Sequence, residues 1–281
     1  MTAPTPRTPT TPYGPLIETR LRVVTWNLWW RLGNWNSRAG PIVRTLRDLD
    51  PDLVCLQEVW QEGDRNQGRL ACRAPGNAAR LRGRSYRGWD DQGVAVLSGW
   101  PLAEVERRAI PSPVGVQHRT VALRTVIEGP RGAILLATTH LVPYPPRSAD
   151  RKQQVRALVE FLAEPKRQPP ITVLCGDFNA APGSDEIRLL TGLRPPAVAG
   201  WTFLDAWETA GDDSPGYTMV KTNPNSAPLL LPNLRWDDIF VRWPSAPGGI
   251  GPPLHAEVAG TDATDGVVPS DHYAVCADLR Y

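Results

Sequence analysis

The sequence predicts an α/β protein in which two sheet-like halves are flanked by helices. Three observations carry that expectation: short β-branched apolar runs recur along all 281 residues, segments of helical spacing stand between them, and several runs end on a polar side chain. Alternation of strands and helices favours α/β layers over an all-β barrel. A chain of this length buries most of its apolar surface without disulfides or structural metal, and no linker divides it.

The opening residues are rich in Thr and Pro and lack an apolar h-region. They predict a disordered tail over 1–19 and no signal peptide, with a single domain over 20–281. Leu21 to Asn27 reads as a first strand with Asn27 as its polar tip, followed by the cluster Leu28-Trp29-Trp30 and Trp35. Pro41 opens a helix carrying Ile42, Val43, Leu46 and Leu49 on one face, stopped by Asp50-Pro51. Leu53 to Gln57 is a strand ending in Glu58. A helix is expected around Ala71 to Arg82, and Gly93 to Ser98 is a strand closed by Gly99-Trp100-Pro101. Thr120 to Ile127 and Ala133 to Thr139, separated by a glycine-bounded turn, read as a hairpin ending at His140. From Ser148 the spacing turns helical, with Val155, Leu158, Val159 and Leu162 inward and Arg151, Lys152, Arg156 and Glu160 outward; Pro165 ends it. The run Ile171 to Cys175 is a buried strand, and Gly176 permits the sharp exit that presents Asp177 and Asn179. A short helix follows near Asp185 to Leu190, then a loop region over Pro195 to Leu234. Trp236 to Val241 is a strand with Asp237 and Asp238 at its start. A Pro/Gly-rich loop leads to Ser270-Asp271-His272 and the last strand, Tyr273 to Asp278.

The 31 basic and 29 acidic residues nearly cancel, which argues against a histone-like or polybasic binder. Their distribution is uneven. Seven arginines and no acid lie between Arg65 and Arg87, whereas Asp205 to Asp278 carries eleven acids and few basic residues. The first suits a phosphate-bearing substrate and the second a divalent cation; two solvated faces of opposite sign are the plainer reading. Cys55, Cys72, Cys175 and Cys276 show neither CxxC spacing nor histidines at zinc-site intervals. Buried thiols predict a reducing, cytoplasmic setting, and no run approaches a membrane span.

Six stretches then stand in order: Thr25-Trp26-Asn27, Leu56-Gln57-Glu58-Val59, Thr139-His140, Gly176-Asp177-Phe178-Asn179, Arg235 to Phe240, and Ser270-Asp271-His272. Together they resemble the motifs of the endonuclease/exonuclease/phosphatase superfamily over about Arg20 to Leu279. The resemblance implies the deoxyribonuclease I-like fold: a four-layered α/β/β/α sandwich of two mostly antiparallel sheets with helices outside. It implies a metal-dependent phosphoric ester hydrolase, with Asn27, Glu58 and Asp271 about a Mg²⁺ or Mn²⁺ ion, whose hard-oxygen preference they meet. Asp177 would orient or deprotonate the attacking water, and Asn179 would donate to the phosphate. His272, oriented by Asp237, would stabilise developing charge, with His140 as its partner on the opposite rim. Arg119 stands where some relatives carry a phosphate-contacting arginine. His255 is expected to be structural or solvent-facing.

Two positions depart from the family pattern. Trp29 replaces a second acid found in some relatives. Asp238 replaces an aromatic and reads either as a further metal contact or as a solvent-facing group. Trp26 and Trp236 are expected to pack inward, and Trp29, Trp30 and Trp35 to join the core rather than form a stacking surface. The expected activity is endonuclease-type cleavage of nucleic acid by a monomer without a stable protein partner. The alternatives are a sphingomyelinase-like phospholipid phosphodiesterase, for which Leu229-Leu230-Leu231-Pro232 would be an apolar loop, an inositol-phosphate phosphatase, and a non-catalytic binder on the same scaffold.

Overall fold

The computed structural model describes residues 19–62, 65–68, 82–87, 92–112, 120–164, 168–244 and 249–281. In chain order the elements are β1 (Arg20–Asn27), α1 (Trp35–Leu49), β2 (Leu53–Glu62), β3 (Arg65–Asn66), β4 (Arg82–Arg87), β5 (Gln92–Ser98), β6 (Leu102–Ala109), β7 (Val121–Gly129) and β8 (Gly132–His140). Then follow α2 (Ser148–Ala163), β9 (Ile171–Asp177), α3 (Asp185–Thr191), β10 (Phe203–Asp205), α4 (Ala206–Ala210), β11 (Asp237–Arg242), β12 (Pro253–Ala259) and β13 (Ala274–Arg280).

Two mixed sheets result. One runs β12-β13-β1-β2-β5-β4 with β3 beside β2; the other runs β10-β11-β9-β8-β7-β6. Each contains one parallel pair, β1 with β2 and β8 with β9, and the remaining pairs are antiparallel. The parallel pairs follow from connectivity, since α1 and α2 are the crossovers that return the chain to the same edge.

Strand alternation sorts side chains into three apolar clusters. Val23, Cys55, Leu136, Val173, Ile239 and Val275 pack together between the sheets. Val24, Trp26 and Leu56, on the opposite face, meet Ile42 and Leu46 of α1. Leu135, Leu174 and Phe240 meet Leu158 and Leu162 of α2 and Ile187 of α3. The order helix, sheet, sheet, helix is the four-layered arrangement that the resemblance implies.

The local structure corrects several expectations. Helix α1 begins at Trp35 and carries Pro41 inside it; one missing N–H costs less than abandoning the apolar face that follows. The turn ends as expected, Asp50 capping it with φ 46°. β2 does not stop at Glu58 but continues to Glu62 through a register shift between Leu56 and Val59. β6 and β12 were not legible because they are edge strands, supported by ladder bonds rather than by an apolar pattern. β10 and α4 likewise stand in the expected loop region. Arg151 is not outward: it is buried and its Nε donates to Glu186 Oε1 at 2.7 Å. Of the helix expected around Ala71 to Arg82, Arg82 begins β4 and the rest lies outside the described residues, as does Cys72; Cys55, Cys175 and Cys276 are buried free thiols. Gly176 is not the exit from its strand. It pairs with Thr139 on β8, and an added Cβ would stand 2.4 Å from the Thr139 carbonyl oxygen, so glycine is required by close approach.

Two predictions follow from this packing. Gly176→Ala is expected to lower stability by about 1–3 kcal/mol, as overpacking does, read by denaturant unfolding. Asp278 accepts from Arg22 Nε at 2.8 Å and Nη2 at 3.0 Å. Burial pushes its carboxyl up, but Arg22 and Arg20 outweigh that and hold it below its usual value. A depressed carboxyl lends stability that is present above its unfolded pKa of about 4 and lost as pH falls through the lower folded value. Melting temperatures from about pH 5 to about pH 2 should therefore fall more steeply in the wild type than in Asp278→Asn.

Candidate active site

The site is the continuation of the inner face past the ends of the strands. On β1 the inward row is Leu21, Val23, Thr25 and then Asn27; on β8 it is Ile134, Leu136, Thr138 and His140; on β9 it is Ile171, Val173, Cys175 and Asp177. β11 runs antiparallel to β9 with Asp237 opposite Asp177, so a strand start meets a strand end. On β2 the inward residue is Gln57, and the bulge with Glu58 at φ 52° turns the next side chain toward the rim. β13 is antiparallel to β1, which brings the Ser270-Asp271-His272 approach to the same rim.

Asp177 is the hub. Its Oδ2 accepts from Asn27 Nδ2 at 3.0 Å, and lies 3.4 Å from His140 Nε2 and 3.9 Å from His272 Nε2. Its Oδ1 accepts from the backbone N of Asn179 at 2.9 Å. Asn27 Nδ2 also donates to Glu58 Oε1 at 3.2 Å, and Asn27 Oδ1 accepts from Trp29 N at 2.9 Å. Asn179 takes the left-handed conformation, φ 49°, and spends one amide proton on the Leu141 carbonyl at 3.0 Å. That turn, rather than Gly176, makes the exit from β9.

His272 Nδ1 donates to Asp237 Oδ2 at 2.7 Å, which leaves Nε2 facing Asp177. Burial opposes protonation of the ring, but Asp237, Asp271 and Asp177 outweigh it and hold its pKa well above the ordinary value. Burial in turn raises the Asp237 carboxyl, whose Oδ1 has no hydrogen-bond partner. Asp271 is buried, and burial, then repulsion from Glu58 and Asp177, lift its carboxyl to about 7 against the pull of His272 and Arg38. Among the described residues, ligand atoms of Asp177, Asp237 and His272 all lie within 4.8 Å of one another, a candidate metal-binding triad. In it, however, Asp237 and His272 already satisfy each other. Asp177, Glu58 and Asp271 have no hydrogen-bonded cation among the described contacts, and carboxylate oxygens are the hard donors a divalent cation prefers.

All the expected site residues but one meet at this rim. Arg119 lies outside the described residues, as does most of the segment from Arg65 to Arg87. His255 is exposed on β12, away from the site. Asp238 is neither a metal contact nor solvent-facing: it points to the outer face, fully buried, 3.1 Å from Arg235 Nε. Burial and neighbouring Asp205 push its carboxyl well up, with Arg235 opposing. Trp26 and Trp236 pack inward as expected. Trp29, Trp30 and Trp35 do not join the core but lie half-buried at the surface, with Trp29 and Trp30 at φ 56° and 34°.

Sequence reading missed the residues that hold these loops. Arg38 of α1 is 2% exposed. Its Nη1 donates to Leu28 O at 2.7 Å and Pro269 O at 3.1 Å, and its Nη2 to the carbonyls of Trp29, Trp30 and Leu32, each at 3.0 Å. One guanidinium thus ties the loop after Asn27 to the approach to Asp271, and desolvation lowers its pKa to about 10. Asn223 Nδ2 donates to Ser270 O at 3.0 Å and Asp271 O at 3.1 Å, and Ser270 Oγ to Asn27 O at 2.7 Å. Acceptors that are backbone carbonyls leave no signature in sequence. Arg38→Met is expected to cost about 2–4 kcal/mol, the penalty of emptying a buried network. Arg38→Lys, which keeps the charge but not the planar fork of donors, should recover only part of that stability, read by thermal melts.

With the geometry in place, relatives can be compared. Residues 24–272 match the model of the Endonuclease/Exonuclease/phosphatase family. Protein angel of Drosophila melanogaster is 30% identical over 183 residues, 57% of this chain and 48% of that protein. Protein angel homolog 2 of Mus musculus is 30% identical over 169 residues, 54% of this chain and 30% of that one. The matched chain thus spans half or less of these curated relatives. Among solved structures, D. rerio TDP2 complexed with single strand DNA product superposes with a TM-score of 0.72 at 22% identity, over 94% of this chain and 100% of that one. An endonuclease/exonuclease/phosphatase from Bacteroides vulgatus gives 0.71 at 18% identity, over 94% and 99%. At such identities the structures establish the fold, the deoxyribonuclease I-like one, and the family model establishes the lineage: the chain belongs to the endonuclease/exonuclease/phosphatase family.

Proposed function

We propose that the chain is a divalent-metal-dependent phosphodiesterase that cleaves nucleic acid. The observation that carries this reading is Asp177 at the centre of donors from Asn27, His140 and the backbone of Asn179, with the Asp237–His272 pair beside it. Hydrolysis at phosphorus needs an oriented water, cationic charge on the phosphoryl oxygens and help for the leaving oxygen.

Asp177 is the acceptor for the proton of the attacking water, its carboxylate fixed by the Asn27 amide and the Asn179 N–H. His272, held protonated by Asp237, presents Nε2–H to a phosphoryl oxygen and stabilises the charge that grows there. His140 supplies a second donor from across Asp177, and the remaining N–H of Asn179 a third. Glu58 and Asp271, with Asn27, are the residues that would hold Mg²⁺ or Mn²⁺. Bound there, the ion would neutralise phosphoryl oxygens as a Lewis acid.

Nucleic acid is favoured by the seven arginines between Arg65 and Arg87, since phosphate contacts come chiefly from such side chains. The D. rerio TDP2 structure, complexed with single strand DNA product, is consistent with this. One observation favours a phospholipid substrate instead: Leu229 and Leu230, 53% and 89% exposed, stand on a loop whose Asn223 grips Ser270 and Asp271.

The test is a panel of plasmid DNA, single-stranded DNA, RNA, sphingomyelin, a phosphoinositide and a chromogenic phosphodiester, each with Mg²⁺, Mn²⁺ or chelator. Cleavage of a nucleic acid that stops with chelator is expected. Asp177→Asn and His272→Ala should each lose at least about 10²-fold in kcat, the scale of removing a general base or an oxyanion donor. Cleavage of sphingomyelin alone would replace the substrate reading. An intact panel, or full activity in both variants, would sink the catalytic one.

A further inference from the structure

At the other end of β9 from Asp177, roughly 16 Å along the strand at the usual rise, the outer face of the second sheet opens into a pocket. Its volume is about 170 Å³, and it is lined by Gln168, Pro169, Pro170, Thr172, Arg242 and Trp243. Thr172 and Arg242 reach it from adjacent strands, because Val173 pairs with Val241 and the next residue of each ladder lies alongside.

Three features distinguish this pocket from an ordinary surface hollow. The Arg242 guanidinium lies 4.1 Å from the centroid of the Trp201 ring, so it is held in place by stacking rather than by a carboxylate. Its Nε is buried and has no hydrogen-bond partner, and no acid near it offsets the desolvation that pushes its pKa down. Thr172 is 1% exposed, and its Oγ1 likewise has no partner. Among the described residues the Nε atoms of Arg31, Arg38, Arg188 and Arg235 are also buried without a hydrogen-bond partner, so the mark of this pocket is not the unpaired arginine atom alone but its occurrence beside the unpaired Thr172 hydroxyl, on one small space. Buried polar groups cost free energy unless paired, so two of them facing one small space point to a ligand that pairs both.

The chemistry selects the ligand. A guanidinium edge and a hydroxyl offer donors, and none of the lining residues is acidic; planar guanidinium forks match oxyanions. A space of this size admits one ring-sized group or a phosphate, not a strand of nucleic acid. Pro169 and Pro170 make the wall rigid, and Trp243, 60% exposed, stands beside it with an open ring face. We propose that this pocket binds a small oxyanion of phosphate size, either free phosphate or the terminal phosphate of a mononucleotide, at a site separate from the catalytic rim. It does not depend on the reaction assigned to that rim.

The test is calorimetric titration of the full metal-free chain with inorganic phosphate and, separately, with adenosine 5′-monophosphate. Saturable binding is expected in the wild type and in His272→Ala. It should weaken at least tenfold in Arg242→Gln and several-fold in Thr172→Val, at unchanged melting temperature. Should Arg242→Gln fail to fold, Arg242→Lys and Thr172→Val decide in its place, and either one weakening binding upholds the site. Tighter binding of the monophosphate that Trp243→Phe abolishes identifies a mononucleotide; equal affinities identify phosphate itself. No saturable binding, equal binding by the Arg242 and Thr172 variants, or loss confined to His272→Ala would overturn the proposal. Turnover of the chromogenic diester should be unchanged in Arg242→Gln, so failure here and failure of the catalytic reading are told apart.

Discussion

Gln57 crosses the gap between the two sheets. Its Nε2 donates to Thr138 Oγ1 at 2.9 Å on the second sheet and to Thr25 Oγ1 at 3.1 Å on the first. Each of the three is one inward step before a rim residue: Thr25 before Asn27, Thr138 before His140, and Gln57 before the bulged Glu58. An apolar contact between two sheets permits sliding, because dispersion and burial are not directional. A buried hydrogen bond is, and leaving its groups unpaired costs about 1–3 kcal/mol each. The stagger of the sheets is thereby fixed just beneath the rim, where carboxylates and imidazoles of different strands must meet within a few ångströms.

The rim concentrates charge that a folded core would ordinarily reject. Asp177, Asp237, Asp271 and His272 are all buried, and the fold tolerates them through three devices. One is direct pairing, as in the Asp237–His272 bond. Another is donation by amides, from Asn27 and from the backbone of Asn179. The third is the nearby cation Arg38, whose Nη1 and Nη2 donate to backbone carbonyls and whose charge still lowers the Asp271 carboxyl. Glu58 and Asp271 receive the least of this help, and the raised carboxyl of Asp271 is the imprint of that deficit. A cluster so biased is suited to a divalent cation.

Asp238 and Arg235 show how closely one short run of residues can divide between tasks. Asp237 faces the rim while its neighbour faces outward into a buried network in which Arg235 Nη2 meets Asp205 at 2.8 Å and Glu208 at 2.9 Å. Asp205 also caps α4 through the N–H groups of Trp207 and Glu208. The motif therefore anchors the short β10–α4 unit against β11 at the same time as it supplies the partner of His272. Strand geometry enforces this division, because adjacent side chains cannot share a face.

Most of the architecture was legible in the sequence because its signals are local. Interior strands such as Ile171 to Cys175 and the apolar face of α2 announce themselves by periodicity, and the polar residues that follow the strands stand out against those runs. From this alone the layers, and through the six ordered motifs the family and the rim residues, could be stated. Tertiary structure decided what depends on a partner distant in sequence. Edge strands β6 and β12 exist through ladders with β7 and β13. Glu58 reaches the rim only through a bulge whose register is set by β5. Gly176 is glycine because the Thr139 carbonyl passes close by, Arg151 is buried because Glu186 receives it, and Arg38 is a clamp because its acceptors are carbonyls. Side-chain type and spacing encode the strand ends; only the packed sheets determine which of those ends touch.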